Sequence, residues 1–484
     1  MKKSLLGAAG VVAAIALGAY PAATWYFGKQ LEAELDRQYA TLAQVPLVEV
    51  AERRFERGVY RSTETVRMRW KPEFLAAVAA GTSASSGTGL DRVAIEARTE
   101  YAHGPFPGLS SPAAAARAES RVYLVSAEGE PRALTDGGGE PLVVRTRFEL
   151  DGSGSGRFSG RAFEIALPDD TRMRWGGIDV AFRFSADRNA VQAEGTIPAL
   201  EITDASKLAV VMKGIALDMD ATRPFAEAPL FFIGNQRISV AQMQVTPPPG
   251  QDAQAMSMRN LVLEGDVPLR DGFVDLSYRI GADEVRLGDD VVGPARYDYS
   301  VTHLHAPTLV ALYEEMLKLY ARPELFRPGS DPGQILASLA EPARRLLEHD
   351  PGLRLDRLSF AMPEGEVVLS VAARLRGVQL AELENPMLLL PKLELDGSAS
   401  VSAPLLTAFA VKSFQRKMAA ADPTRTVSAD EARMVEAQIE AQLHALTGKG
   451  YVERDGLVLR STIRFRNGEM QLNGKPFDPM ALSR

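Results

Sequence analysis

The 484-residue chain has no cysteine, only 5 histidines, and aromatic side chains at just 7% of its positions. Without cysteine there are no disulfides, thiolate zinc sites, cysteine nucleophiles or iron–sulfur clusters. Long lysine or arginine runs are missing too, and 62 acids against 55 bases leave a net charge of −7, which argues against nucleic acid as the main partner. The catalytic signatures are equally absent: no G-x-S-x-G elbow, no H-E-x-x-H helix, no phosphate loop and no dinucleotide fingerprint. No fixed-period repeat is present. A hydrophobic content of 46% excludes wholesale disorder. The length suffices for at least one full core and suggests about three domains.

One further absence is local. No charged side chain occurs from Ser4 to Gly28, while Lys2 and Lys3 precede that stretch. As a helix, about 25 residues reach about 37 Å, against a hydrocarbon core of about 30 Å. Trp25, Tyr26 and Phe27 crowd its far end, where amphipathic rings favour the headgroup region. The expectation is a membrane span over residues 4–28 with a cytoplasmic N-terminus, because cations beside a span are retained on that side. Lys29 is followed at once by Glu32, Glu34 and Asp36, so the remainder is expected outside the cytosol. A cleaved signal peptide is the rival, with Ala16-Leu17-Gly18 as a small-residue site. Cleavage there would leave Tyr20-Pro21 near the new terminus and strand the aromatic cluster.

Gln30 to about Leu42 reads as a short helix, with Leu31, Leu35 and Leu42 among charges. Period-two alternation then takes over. Tyr60, Val66, Met68 and Trp70 share one parity, and Arg61, Thr63, Thr65, Arg67 and Arg69 the other. The pattern returns at Val367–Leu375 and Leu457–Phe465, and more weakly near Val143–Leu150, Asp179–Phe184, Leu261–Leu263 and Phe273–Ile280. Strands with one apolar face belong to antiparallel sheets covered on one side. Asn467-Gly468 between two such runs is a two-residue hairpin signal, since both turn positions need positive φ. A second pair, Asn473-Gly474, ends the returning strand.

Helical periodicity covers about Thr308–Tyr320, with Leu309, Leu312, Tyr313, Met316 and Leu317 on one face. It resumes after Arg327–Pro332 through Ile335, Leu336, Leu339, Leu346 and Leu347, with Pro342 expected to interrupt it. A second block covers Leu405–Ala419 and Ser428–Leu446. Ser428 with Glu431 fits a capping box, and Gly448 suits the position past the end. The small-residue stretches Thr82–Gly89, Ser126–Pro141, Gly152–Gly160 and Pro247–Ala255 read as loops.

The expected fold is therefore α+β: an N-terminal transmembrane helix, then large curved antiparallel β-sheets with two helical blocks packed on them. The boundaries are a membrane anchor at 1–28, a juxtamembrane helix at 29–45, a β-rich region at 46–300, and a mixed α/β region at 301–484 ending in the hairpin.

Candidate chemistry is sparse. His303-x-His305 places two imidazoles on one strand face without an evident third ligand, which fits a polar strand end better than a metal site. Asp169-Asp170 and Asp289-Asp290 are adjacent acids that point to opposite faces of a strand and form no carboxylate dyad. The Gly152-Ser-Gly-Ser-Gly run lacks the residues of a phosphate loop and reads as a flexible turn. No metal, cofactor or catalytic residue is assigned.

Five strings occur in an order that resembles the YdgA-like bacterial envelope proteins. They are Trp25-Tyr-Phe-Gly28-Lys29, Arg57-Gly58-Val-Tyr-Arg-Ser62, His103-Gly104-Pro105-Phe106-Pro107, Gly234-Asn-Gln236, and Asn467-Gly468-Glu-Met-Gln-Leu-Asn473-Gly474. The likeness covers nearly the whole chain, departing in the loops and the Ala-rich stretch after Gly108. It implies an inner-membrane protein with one span and a large periplasmic region, and no catalytic mechanism. In the sharpest string, Pro105 and Pro107 stiffen the backbone while Gly104 permits an unusual conformation, which suits a shaped turn better than a catalytic histidine.

The functional expectation is a non-enzymatic envelope protein that presents a β-rich surface to another envelope component or to a second copy of itself. Its partners would be the lipid bilayer, through residues 4–28, and other proteins, with no nucleic acid. Lipid carriage along a groove of the sheet is a second reading. A hydrolase built on His103 is a third, and it requires another catalytic group converging on that imidazole.

Overall fold

The computed structural model describes residues 2–43, 47–72, 74–75, 92–107, 113–127, 142–166, 170–228, 231–250, 254–319, 322, 325, 331–421, 425 and 427–477, with side chains described from residue 20 onward except at 332, 336, 384, 386 and 421. The proposed loop at 82–89, most of that at 126–141, residues 251–253 of that at 247–255, and the side chains of residues 4–19 lie outside the described residues. The chain forms two compact units, Met1–Ala253 with Leu312–Leu339, and Gln254–Ala311 with Ala340–Arg484.

In the first unit, helix α1 (Lys2–Leu42) leads into β1 (Val48–Arg57), β2 (Arg61–Trp70), β3 (Val93–His103), β4 (Ala116–Ser126), β5 (Leu142–Phe148) and β6 (Gly154–Gly160). Then come β7 (Phe163–Ala166), β8 (Arg172–Trp175), β9 (Ile178–Phe184), β10 (Ala190–Thr203), β11 (Ala209–Thr222) and β12 (Ile233–Thr246). They pair antiparallel in the order β1-β2-β3-β4-β5-β6-β9-β10-β11-β12. Beside β10, β8 takes over from β9, and β7 pairs with β8. No described pairing joins β1 to β12, so the sheet is open.

The helix expected at Gln30–Leu42 is not a separate element. α1 continues through it without a break and passes Pro21. Leu31 and Leu35 bury themselves against Tyr101 and Ala118, with Tyr39, Phe55 and Phe148 packed around them. Among the described residues no helix is long and apolar enough to cross a membrane.

The alternation of β2 survives with a difference: Tyr60 is exposed in the turn, and the buried parity carries Ser62, Glu64 and Val66. The Gly/Ser run is not a flexible turn. Gly154 and Gly156 lie in β6, in register with Phe184 and Phe182. A Cβ on either would come within 2.4 Å of the facing ring. The glycines leave room for aromatics to lie across the strand, which is how a glycine-rich segment keeps a place in a sheet. The long β10–β12 ribbon escaped the period-two reading because Pro198, Lys213-Gly214 and exposed polar residues interrupt its pattern.

The second unit contains β13 (Met256–Val267), β14 (Leu269–Arg270), β15 (Phe273–Ala282), β16 (Glu284–Leu287), β17 (Asp290–Val292) and β18 (Ala295–His305). Next in the chain are helices α2 (Ala306–Leu319) and α3 (Pro332–Leu347), whose residues from Leu312 to Leu339 are counted with the first unit; the second unit continues with β19 (Gly352–Met362), β20 (Gly365–Leu375), β21 (Leu393–Ser402), α4 (Ala403–Ala421) and α5 (Ala429–Gly448). The chain ends in β22 (Glu453–Asp455), β23 (Val458–Arg466), β24 (Glu469–Leu472) and β25 (Lys475–Pro476). The antiparallel order is β13-β15-β18-β19-β20-β21-β23-β24-β25. Leu443 of α5 packs with Ala403 and with Leu459 of the sheet.

Both helical blocks form, with corrections. Pro342 does not interrupt α3, which runs through it. On α2 the buried positions are Ala306, Val310 and Leu319, while Met316 is exposed. Ser428 and Glu431 make the reciprocal capping box, but Gly448 is still helical and Gly450, at φ +75°, takes the left-handed position. Asn467 and Gly468 adopt φ of +54° and +79° between paired Arg466 and Glu469, as the hairpin signal requires. Asn473 and Gly474, at +50° and +73°, make a second hairpin turn into β25 rather than simply ending a strand.

Candidate functional site: the seat of the N-terminal helix

The stripe of α1 that faces the sheet is Thr24, Gly28, Leu31 and Leu35, alternating steps of four and three that keep one helical face in line. At its upper end sits His103, the last residue of β3, only 1% exposed. Its Nδ1 lies 2.8 Å from the Thr24 carbonyl oxygen, and its Nε2 lies 3.1 Å from Ser62 Oγ on β2. A carbonyl only accepts, so Nδ1 carries the proton and Nε2 accepts from the Ser62 hydroxyl.

Two glycines make this approach possible. A Cβ at Gly28 would stand 2.8 Å from His103 Cε1, and one at Gly104 would stand 2.0 Å from Thr24 Cγ2. Gly104 also sits at φ +106°, where a side chain is strained. Pro107 is fully buried, and Tyr20 Oη donates to the Phe106 carbonyl at 2.7 Å. The His-Gly-Pro-Phe-Pro string is thus a shaped turn moulded to the helix.

Further along, acids of α1 meet arginines of the body. Glu32 pairs with Arg57 at 2.7 Å, Asp36 with Arg53 at 2.6 Å, and Glu34 with Arg188 at 3.7 Å. Arg57 also lies over the Trp25 ring at 5.5 Å. Beneath the Asp36 pair is a buried network: Glu64, with 2% of its side chain exposed, accepts from Arg53 Nε at 2.7 Å and from Tyr101 Oη at 2.8 Å. The Arg53 guanidinium lies 4.5 Å from the Tyr39 ring centre. Burial, reinforced by the neighbouring Glu64 charge, pushes the Tyr101 phenol well above its ordinary value.

His103 responds in the opposite direction. Burial pushes its imidazole below the ordinary value, against the backbone hydrogen bonds at Thr24 and Arg61 that would raise it. The native state therefore resists protonation while the unfolded chain titrates at about 6.5. The associated stability is complete above about pH 6.5 and is lost as the pH falls through the folded value. Comparing urea midpoints of wild type and His103→Gln between neutral and mildly acidic pH should show a steeper acid loss in the wild type. Parallel curves would disprove the buried neutral histidine.

The structure brings together Gly28, Arg57, Gly58, His103, Gly104, Pro105, Phe106 and Pro107, with Lys29 exposed on the adjoining helix face. Gly58 closes the β1–β2 turn, its amide donating to the Arg61 carbonyl at 2.9 Å. Gly234, at φ +125°, serves a different need: β12 lies so close to β11 that a Cβ would come 2.1 Å from the Asp220 carbonyl oxygen. Gln236 faces Met219 across that pair. Asn467, Gly468, Asn473 and Gly474 belong to the hairpin of the second unit. Sequence reading missed Thr24, Arg53 and Glu64, and met Ser62 only as the end of the Arg57–Ser62 string. The usable signal was in β2, where Ser62 and Glu64 share the parity of Val66.

The His pair has a structural explanation. His303 stacks on Phe273 at 3.9 Å and His305 on His349 at 4.0 Å. Among the described residues, no group of three or more His, Cys, Asp or Glu is arranged to hold a metal. Asp290 engages Lys412 and Arg416, and Asp170 occupies a turn at φ +61°.

Fold and seat together define a class: an antiparallel β protein whose N-terminal helix is clamped along its first sheet. The whole-chain comparison names the family. A bacterial protein family of unknown function, DUF945, matches residues 1–480, and the chain belongs to it. No curated protein and no solved structure matches.

Proposed function

We propose that this chain is a single-span envelope protein of the YdgA-like kind, whose seated helix holds a β-rich platform rigidly at the outer surface of the inner membrane for non-enzymatic binding or scaffolding. The observation that carries this reading is the seat itself. An uncharged N-terminal segment runs in one helix into a stretch fixed to the body by His103, three acid–arginine pairs and two buried leucines. A flexible tether would suffice to keep a domain near a membrane, whereas a clamped one also sets its orientation.

The rival readings find less support. A serine–histidine pair does exist, in Ser62 and His103, but each is 1% exposed, and Nδ1 is occupied by a backbone carbonyl of the helix. Nucleophilic catalysis needs an accessible nucleophile beside a substrate site. For lipid carriage an apolar groove is needed. The clefts described over the sheets have mixed linings, with charged Arg354, Asp356, Asp396 and Arg464 beside Leu355, Val371 and Ile463 in one, and Arg117 and Arg145 beside Tyr101 and Ala118 in another, so neither is a continuous apolar groove.

Membrane fractions washed at alkaline pH test the anchor: the full chain should stay in the pellet until detergent is added, and protease added outside the inner membrane should digest it. Release by the wash, or protection from that protease, would defeat the proposal. Mild crosslinking should then capture a second copy or another envelope protein.

A further inference from the structure

At the N-terminal end of the seat, exposed apolar side chains gather from three separate segments. Trp25 and Tyr26 on α1 are 45% and 54% exposed, Val59 and Tyr60 in the β1–β2 turn 45% and 51%, and Phe106 49%. Tyr20 ties the three segments together: it stacks on Tyr60 at 6.1 Å and donates to the Phe106 carbonyl. Arg57, the last residue of β1, covers Trp25. Scattered exposed apolar residues need no explanation, but exposed side chains from three segments gathered at one level of a helix do.

We infer that this collar is a lipid-contacting surface that sits in the headgroup and upper acyl region of the bilayer. The inference rests on the anchor proposed above and adds which face of the body meets the membrane. The length of α1 argues for it. The uncharged run ahead of Tyr20 is residues 4–19, about 24 Å of helix against about 30 Å of hydrocarbon. The shortfall of about 6 Å falls on residues that the body already surrounds. Thr24 is fully buried against the Gly104 turn, so the body cannot slide along the helix to make room. Whatever flanks residues 20–24 must enter the interface with them. Tryptophan and tyrosine are the side chains that region favours, with an apolar body and a polar tip. Exposed Lys29 lies one turn beyond, at the level of lipid phosphates.

The absence of cysteine gives a clean test, because any introduced thiol is the only one. Val59→Cys and Phe106→Cys probe the collar, and Leu47→Cys, beyond the far end of α1 and 38% exposed, is the reference. Each full-length variant is labelled with an environment-sensitive fluorophore and reconstituted into phosphatidylethanolamine–phosphatidylglycerol vesicles carrying a shallow acyl-chain spin label. Quenching at 59 and 106 should exceed that at 47 by at least about threefold. Equal quenching at all three sites in protein that resists the alkaline wash would overturn the collar and leave the anchor standing. If the wash releases the chain, the anchor fails, and the same comparison on protein added to preformed vesicles decides the collar: contrast supports it and equality removes it.

Discussion

Replacing Gly104 by alanine should unseat the N-terminal helix. The added Cβ would lie 2.0 Å from Thr24 Cγ2 and 3.3 Å from the Thr24 Cα, so rotating the threonine side chain relieves only part of the clash. The backbone, at φ +106°, adds strain of its own. Overpacking and strain together should cost about 3 kcal/mol or more. The effect should appear first in α1, as loss of hydrogen-exchange protection over residues 24–39 and faster cleavage by protease there. Thr24→Ala removes Cγ2 and a hydroxyl whose described hydrogen bond is to the Pro21 carbonyl within the same helix. The double variant should recover part of the loss, and that coupling identifies the contact. Wild-type protection of α1 in Gly104→Ala would show that the turn does not hold the helix.

This seat explains how far the sequence could be read. Local signals with their own geometry came through intact: the Asn467-Gly468 turn and the Ser428–Glu431 box each require only neighbours a few residues away. The alternating strand β2 also came through, because one buried face stamps its period on the chain. The seat is made of partners far apart in sequence, Thr24 with His103 and Asp36 with Arg53, and no periodicity reports such a pairing. Even so, its ingredients were visible. The three arginine-paired acids, Glu32, Glu34 and Asp36, stood out only as a charge bias after Lys29, and the His-Gly-Pro-Phe-Pro string announced a special backbone without saying what it wrapped. The errors have physical causes too. Gly154-Ser-Gly156 looked like a loop because a glycine-rich strand is stabilised by rings on its neighbour, Phe182 and Phe184, which the run itself does not contain.

The network under the helix should give the other large effect. In Arg53→Met, Glu64 loses its only described ion pair while its side chain remains 2% exposed. A buried carboxylate left with tyrosine hydroxyls and no cation is poorly compensated, and breaking one side of such a pair costs about 3–5 kcal/mol. Asp36 also loses its arginine, but at 60% exposure that pair contributes little in water. The expected result is a large fall in the urea midpoint, with α1 and the β1–β2 pair losing exchange protection together. Adding Glu64→Gln to the same chain removes the stranded charge and keeps an acceptor for Tyr101, so Arg53→Met/Glu64→Gln should regain most of the loss. If the double variant is as unstable as Arg53→Met alone, the cost lies in the packing of the arginine over Tyr39, not in the buried charge. The seat would then be a matter of shape, with its electrostatics incidental.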